Sequence, residues 1–294
     1  MHLSYLLIDT DPDPARPRPG RAWVRNVYRV HQRLCMAFPC AGRKERERRE
    51  NVIDRFIPEE FRTLVAKESE AGGRRHVHYA RGTDAGFLFR IDLVGAPVRA
   101  AGPQAAEWRR GLGEAPPSRH VITVQSATPP DWEYAFQHAR EFLCAAPLVK
   151  DYAPAFEAGQ RYRFVLRANP TKKLRLVSRA ELRAAREANV VLAGRNGRRE
   201  FLADPAGQEQ WLRTQAEGGA GRRDKGFRVL SVCAEAESPA RGGRGRGDES
   251  IVLAAVRFEG VLEVVAPDAF RDTVVAGIGP GKGFGFGLLS VAPA

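Results

Sequence analysis

The chain has 294 residues, enough for one or two domains that each bury a core. Its formal net charge of +12 and pI of about 10.1 favour a polyanionic partner, nucleic acid before an anionic membrane. No apolar run approaches the roughly 20 residues that span a bilayer, and Asp9 and Asp11 near the start argue against a signal peptide.

The cysteines and histidines do not predict a metal site. The four cysteines fall at spacings that match no zinc motif, and we interpret them as small buried thiols in a reducing cytoplasm: Cys35, Cys40, Cys144 and Cys233. His76 and His78 would share one strand face, but few carboxylates lie near them. We therefore expect neither a metal ion nor another cofactor.

The first half of the chain predicts the order strand, helix, strand, strand, helix and short strand. Apolar residues recur at helical spacing from Val27 to Phe38, and Asp11–Gly20 is a Pro-rich, charged loop. The predicted strands are Met1–Asp9, Gly86–Leu93, His120–Gln125 and Pro147–Pro154, and the second helix is Asp131–Cys144.

The second half repeats this order. It predicts strands at Gln160–Arg167, Phe227–Ala234 and Phe284–Val291, a hairpin over Ile251–Val265 that turns at Glu259–Gly260, and helices at Asp204–Glu217 and Asp268–Ala276. The pattern predicts an α+β protein of tandem ferredoxin-like (RRM-like) domains, each β-α-β-β-α-β with an antiparallel sheet. We expect the domains to cover residues 1–157 and 158–294.

A glycine-rich segment, Gly277–Gly287, stands near the C-terminal end. Its spacing fails the phosphate-binding Walker pattern, and a dinucleotide fingerprint fails because the segment follows a helix and precedes a strand. Its second half matches the opening of the RNA-binding RNP1 pattern, although Phe284 and Phe286 are equally explained as core residues. Gly281 and Gly283 admit close approach of a phosphate, with Lys282 as the counter-charge.

Tyr28 and His31 are three residues apart, so on a helix their side chains share a face. Cleavage of RNA without metal needs a base for the 2′-hydroxyl, an acid for the leaving 5′-oxygen and cations around the phosphorane. Histidine suits acid–base work because its pKa lies near neutrality. Taken alone, however, a helical histidine beside arginine is more often structural.

Four segments, taken together and in this order, resemble the CasE-type CRISPR repeat endoribonucleases. They span nearly the whole chain: Tyr28–Pro39, Phe164–Lys172, Phe258–Leu262 and Gly277–Pro293. The resemblance implies the same tandem ferredoxin-like fold. Extra residues relative to that family fall at Cys40–Asp84 and Gly95–Ser118, and we assign no function to them. Cys35 stands where a large aromatic residue is common, which suggests a rearranged core contact.

The resemblance also implies an activity. The family binds the stem-loop of the CRISPR repeat, cuts at the 3′ base of the stem by 2′-hydroxyl attack without metal, and retains the product within the Cascade complex. Tyr28 and His31 fall on the family's catalytic tyrosine and histidine. The implied partners are repeat RNA and other Cascade subunits, with a cytoplasmic monomer outside the complex and no membrane partner.

Family members bring basic residues of the second domain to the RNA. The residues that we expect to contact RNA are Arg25, Lys172, Lys173, Arg241, Arg244, Arg246, Gly281, Lys282 and Gly283. The loop Arg241–Arg246 is explained equally well as a disordered Arg-Gly linker. If it is functional, its arginines would follow phosphates along the RNA stem.

Two other functions remain open. A non-catalytic RNA-binding subunit would use the same basic surfaces, although it would have no need of the phenol–imidazole pair. A membrane-surface protein is supported by net charge alone, since the chain lacks a basic amphipathic helix.

Overall fold

The computed structural model describes residues 1–10, 19–38, 86–94, 119–173, 183, 187, 199–218, 224–243 and 251–294. They belong to two compact units. The first comprises Met1–Ala155, Ala240–Leu253 and Gly281–Leu288, and the second comprises Phe156–Pro239, Ala254–Pro280 and Leu289–Ala294. The predicted division of the chain at residue 157 into two contiguous domains stays a prediction.

The first unit is built on a four-stranded antiparallel sheet. Its elements are β1 (His2–Ile8), α1 (Pro19–Val24), α2 (Val27–Cys35), β2 (Phe87–Val94), β3 (Arg119–Ser126), α3 (Trp132–Phe136), a 3₁₀ turn (Arg140–Phe142) and β4 (Leu148–Asp151). The strand order is β2-β3-β1-β4, which is the ferredoxin-like arrangement.

Alternation along β1 sets the core of this unit. Ser4, Leu6 and Ile8 are fully buried, whereas the residues between them are partly exposed. In α2, Val30 and Leu34 are also fully buried, one helical turn apart. The apolar stripe of α2 is therefore buried.

The second unit has a second four-stranded sheet and a small two-stranded one. Its elements are β5 (Arg161–Ala168), β6 (Thr171–Lys173), β7 (Arg199–Phe201), α4 (Pro205–Glu217), β8 (Phe227–Gly242), β9 (Ile251–Val264), α5 (Pro267–Ala276) and β10 (Leu289–Pro293). The large sheet has the order β10-β5-β9-β8, and β6 pairs with β7.

Both four-stranded sheets place the first and third of their own strands, counted along the chain, in the middle, as a β-α-β-β-α-β chain requires. The predicted α+β fold of tandem ferredoxin-like domains is confirmed. The last residues of β8, Ala240–Gly242, and the first of β9, Ile251–Leu253, belong to the first unit.

The predicted hairpin at Glu259–Gly260 is wrong. β9 runs without a break from Ile251 to Val264. Gly260 is needed because a Cβ there would clash with the carbonyl oxygen of Ser231 on the neighbouring β8. A glycine inside a strand thus marks close backbone approach rather than a turn.

The predicted end of β8 at Ala234 is also wrong, because the strand continues to Gly242. Pro239 lies within it, and proline is tolerated there because β8 is an edge strand of its sheet. Arg241, predicted in a loop, is therefore a strand residue. Arg244 and Arg246 lie outside the described residues.

Two further predictions about elements are corrected. The helix predicted over Asp131–Cys144 is only α3 followed by a separate 3₁₀ turn, and Arg33 donates to the Ala135 carbonyl oxygen left at the end of α3 (2.9 Å). The strand predicted over Phe284–Val291 begins only at Leu289. Gly285 and Gly287 before it have positive φ angles of 75° and 89°, which extended backbone does not allow.

Some predictions concern residues that are not described. The extra segments Cys40–Asp84 and Gly95–Ser118 lie outside the described residues, as do His76 and His78. The predicted loop Asp11–Gly20 is described only at its end, where α1 begins at Pro19. The small β6–β7 sheet was not predicted.

Candidate functional site

The proposed catalytic pair lies on α2, whose start is capped by Asn26. The Oδ1 atom of Asn26 accepts a hydrogen bond from the backbone N–H of Arg29 at 3.3 Å. Because the helix begins at Val27, Tyr28 and His31 lie within its first two turns on one side. The face predicted from their spacing is therefore present.

His31 is buried, with 4% of its surface exposed. Its ring lies against two aromatic rings of β2, with centroid distances of 5.5 Å to Phe87 and 6.1 Å to Phe89. Its Nε2 atom lies 3.6 Å from the Sγ atom of Cys35, one turn along the helix. The imidazole is thus held by packing on one side and by the thiol on another. Tyr28 is half-buried.

The glycine-rich segment covers His31. Its 3₁₀ turn, Lys282–Phe284, packs against α2 and β2. A Cβ atom built on Gly283 would lie 3.8 Å from both Cε1 and Nε2 of the imidazole. The bare backbone of Gly283 therefore lies directly over the ring, with room for a methyl group but little more.

Glycines at both ends of this turn have left-handed backbone conformations. Gly281 has φ 82° and ψ 23°, and Gly285 has φ 75° and ψ 27°. A Cβ on Gly281 would lie 2.8 Å from the ring of Phe286, and one on Gly285 would lie 3.2 Å from the ring of Phe89. Glycine is required here both by the backbone and by space. Phe286 is fully buried, so it serves the core.

The end of β8 also packs against the start of α2 and the glycine-rich turn. A Cβ on Gly242 would lie 2.7 Å from the ring of Phe284 and 2.9 Å from the Cβ of Tyr28. The next residue, Gly243, bonds to Asn26 through both its backbone groups. Three segments far apart in the chain therefore meet within the first unit: the start of α2, the end of β8 and the glycine-rich turn.

The other predicted RNA-contacting residues are distributed differently. Arg25 is exposed directly before the cap of α2, and Arg241 is exposed in β8 two residues before Gly243. Lys172 lies in β6 of the second unit, where its Nζ is 3.4 Å from the Oε2 of Glu200. Lys173 lies in the same strand.

Sequence inspection missed Asn26, Gly242 and Gly243. An asparagine directly before an apolar helical pattern is a recognised N-cap signal, so Asn26 was open to prediction as a cap. Its bonds to Gly243 were not, because they join residues 217 positions apart.

His120 shows how Arg25 acts on its surroundings. The Nδ1 atom of His120 lies 2.9 Å from the Oγ1 atom of Thr10. Burial lowers the pKa of His120, and the positive charge of Arg25 lowers this pKa further. Both effects favour the neutral imidazole of His120 over the charged one.

Arg167, from the segment that resembles the family's Arg-Ala-Asn-Pro motif, has a structural role in the second unit. Its Nε donates to Glu237 Oε2 at 2.5 Å and its Nη2 donates to the Ser238 carbonyl oxygen at 3.2 Å. Since β9 lies between β5 and β8, the side chain reaches across one strand to the next. The guanidinium is largely buried and ties the sheet together.

Two observations bear on other classes of site. Within the part of the chain that the structure describes, no three histidine, cysteine or carboxylate side chains cluster so as to hold a metal ion. Across the same residues, no helix combines the length and apolar character needed to cross a membrane.

The chain has the fold of a tandem ferredoxin-like protein, and in it the glycine-rich segment covers His31 of the first unit. A family model described as CRISPR associated protein matches residues 99–293. The CRISPR-associated endoribonuclease Cse3 of Thermus thermophilus is 34% identical over 178 residues, which are 59% of this chain and 73% of that protein. The chain belongs to this family of CRISPR-associated proteins.

Two solved structures are similar to this chain over almost its whole length. Cse3 bound to a 19-nucleotide RNA matches with a TM-score of 0.57 and 26% identity, covering all of both chains. Thermus thermophilus Cse3 bound to an RNA that represents a pre-cleavage complex matches with a TM-score of 0.54 and 26% identity, covering 99% of this chain and 98% of that one.

Proposed function

We propose that this chain is an endoribonuclease that binds the stem-loop of CRISPR repeat RNA and cuts the precursor at the 3′ base of the stem. Membership of the family and the likeness to a relative named an endoribonuclease support this. The observation that carries the proposal is the junction of the Tyr28–His31 face of α2 with the glycine-rich turn and the end of β8.

In this mechanism the 2′-hydroxyl upstream of the cut loses its proton to one of Tyr28 and His31. The 2′-oxygen forms a bond to phosphorus while the bond to the 5′-oxygen breaks. The other residue gives a proton to that leaving oxygen, so the products are a 2′,3′-cyclic phosphate and a 5′-hydroxyl. Both roles suit groups that exchange protons.

The positive groups of the site would act on the phosphate. Lys282 begins the 3₁₀ turn that covers His31, and Arg241 lies next to Gly242, which packs on Tyr28. Cations at these positions would favour the extra negative charge of the phosphorane. Backbone N–H groups of the glycine-rich turn would add donors to phosphate oxygens.

The burial of His31 sets a condition on this mechanism. With 4% of its surface exposed, the ring cannot reach a nucleotide unless the turn over it shifts. We therefore expect RNA binding to displace Lys282–Phe284. The same burial favours the second candidate function, a non-catalytic RNA-binding subunit in which His31 only supports the turn.

One experiment separates the two functions. The protein is incubated in EDTA with a panel of CRISPR repeat stem-loops, each also made with a single 2′-deoxy substitution upstream of the expected cut. We expect cleavage of the unmodified RNA at the base of the stem and none of the deoxy RNA. A stable uncut complex would select the binding subunit. Cleavage only after addition of a divalent metal would instead indicate a metal-activated water.

We further propose that the protein works in the cytoplasm without metal or cofactor, as a monomer until it joins Cascade. Its resemblance to the CasE-type enzymes supports this partner set. The net charge of +12 supports a tight complex with the RNA stem.

A further inference from the structure

Asn26 makes more hydrogen bonds than a helix cap needs. Its Oδ1 atom accepts hydrogen bonds from Arg29 N–H at 3.3 Å and from Gly243 N–H at 3.4 Å. Its Nδ2 atom donates to the carbonyl oxygen of Gly243 at 3.2 Å. One carboxamide therefore caps α2 and pairs with both backbone groups of a residue at the end of β8.

Packing supports the same junction. Gly242 leaves no room for a Cβ, because such an atom would lie 3.1 Å from the backbone nitrogen of Tyr28 and 2.7 Å from the ring of Phe284. The chain at residues 242–243 thus runs in direct contact with the first turn of α2. Arg241 directly precedes this junction, and the Arg-Gly segment follows it.

From these observations we infer that Asn26 is a positioning residue, which anchors the end of β8, Arg241–Gly243, on the helix that carries Tyr28 and His31. The inference rests on the proposed function for its effect on cleavage, but the anchoring itself does not. Two hydrogen bonds to Gly243 hold the end of β8 on the start of α2. The backbone of Arg241, two residues earlier, is therefore held at a defined place near the first turn of this helix.

The carboxamide is the one side chain that can do both tasks at this position. Serine would cap the helix nearly as well, but its hydroxyl is too short to pair with Gly243. Aspartate would also cap the helix and accept from Gly243 N–H, but it would turn a second acceptor toward the Gly243 carbonyl oxygen. Both variants keep the cap, but serine loses both bonds to Gly243, and aspartate replaces one of them with a repulsion between two acceptors.

The test uses Asn26→Ser and Asn26→Asp in the full chain, with Asp204→Ala as the control. Asp204 caps α4 in the second unit, so its replacement removes a helix cap and leaves the junction untouched. The first measurement is hydrogen exchange at the backbone amides of residues 241–243 without RNA. We expect faster exchange in both Asn26 variants and parental exchange in Asp204→Ala.

The second measurement is single-turnover cleavage of repeat RNA together with its affinity. Since a misplaced group costs rate more than binding, both Asn26 variants should cleave about ten- to a hundredfold more slowly with nearly parental affinity. Asp204→Ala should cleave at the parental rate below its unfolding temperature. The salt dependence of binding should also be parental, because the arginines are all present.

Two outcomes would overturn the inference: parental exchange at residues 241–243 in Asn26→Ser, or faster exchange with an unchanged cleavage rate. Failure of the proposed function looks different. In that case the parental protein itself would not cut the RNA, while the exchange measurement would still report on the anchor.

Discussion

His31 is both the proposed acid–base residue and a packed part of the first unit. Its ring lies against Phe87, Phe89 and the backbone of Gly283. Substitution therefore removes a proton-exchanging group and also opens a cavity. The two consequences have to be measured separately.

We expect His31→Ala to lower the single-turnover cleavage rate by about two to four orders of magnitude, the range for a general acid or base. The cavity should also lower the free energy of unfolding by about 1–3 kcal/mol. His31→Gln, which keeps most of the bulk, should recover much of the stability and none of the rate.

The control is His138→Ala, at an exposed position shortly after α3, which should cleave as the parental protein does. Full cleavage activity in a folded His31→Gln protein would remove His31 from the chemistry and support the binding-subunit alternative.

Gly281 and Gly283 are two residues apart, but replacement by alanine should lower stability only at Gly281. Gly281 has φ 82° and its Cβ would press on Phe286, so Gly281→Ala should destabilise the protein by roughly 1–2 kcal/mol. A Cβ on Gly283 fits at 3.8 Å from the imidazole, so Gly283→Ala should unfold at nearly the parental temperature.

The added methyl group of Gly283→Ala would still lie on the ring of His31. We expect slower cleavage without loss of stability, and the reduction should be the same at low and high salt because no charge has changed. Thermal unfolding and cleavage across a salt series would check both variants. Equal thermal unfolding temperatures for the two variants would contradict the view that Gly281, and not Gly283, needs to be glycine for stability.

At this scale the sequence predicts part of the site. The spacing of Tyr28 and His31 predicts their shared helix face, whereas the 3₁₀ turn Lys282–Phe284 was not predicted. The burial of His31 was not predictable, because it depends on Gly283 and on two aromatic rings whose places are set by the tertiary fold.

At the scale of elements, β8 and β9 differ most from expectation. Gly260 and Pro239 are residues that normally interrupt strands, yet both lie within strands here. Their tolerance depends on pairing: Gly260 faces the backbone of β8, and Pro239 lies on an edge strand. A local sequence pattern cannot show which strand lies beside Gly260 or Pro239. By contrast, the strongly alternating strand β5 was predicted to within one residue of its observed bounds.

The end of β8 leads into the proposed RNA-binding segment, so this element carries its own prediction. Neutralising Arg241, Arg244 and Arg246 together should weaken repeat binding and flatten its dependence on salt. The log–log slope should fall by somewhat under one unit for each phosphate that the variant no longer neutralises.

The measurement is repeat-RNA affinity from low to high salt, with Arg271→Gln on α5 as the control, since Arg271 pairs with Asp268 on the same helix. A triple variant with the parental slope would mean that the segment is a linker and that the RNA stem is held elsewhere.

At the scale of the whole molecule, the excess of 47 basic over 35 acidic residues acts equally on substrate and product. Cutting at the base of the stem leaves the stem and its phosphates in place. An interaction shared by both states strengthens binding without helping release.

We therefore expect burst kinetics: about one RNA cut per protein, followed by slow or no further turnover. The cleaved stem-loop should bind about as tightly as an uncleavable 2′-deoxy repeat. Pre-steady-state cleavage and competition binding check this prediction. Rapid multiple turnover, with the product bound far more weakly than the deoxy repeat, would contradict it.

The tandem ferredoxin-like fold was the most predictable property of the chain, because it depends on the order of strands and helices rather than on their ends. The sequence did not predict that Ala240–Leu253 and Gly281–Leu288, from the second half of the chain, belong to the first unit. Gly281–Leu288 lies next to the second unit's helix α5 in sequence but belongs to the first unit.

That return has a consequence for protein synthesis. Gly283 leaves the ribosome about 250 residues after His31, a delay of more than about ten seconds at ordinary elongation rates. Until then, the ring of His31 and its neighbours Phe87 and Phe89 have no cover from the turn. Nascent or prematurely terminated chains therefore lack a complete site, and they should be both inactive on RNA and dependent on chaperones that shield apolar surface.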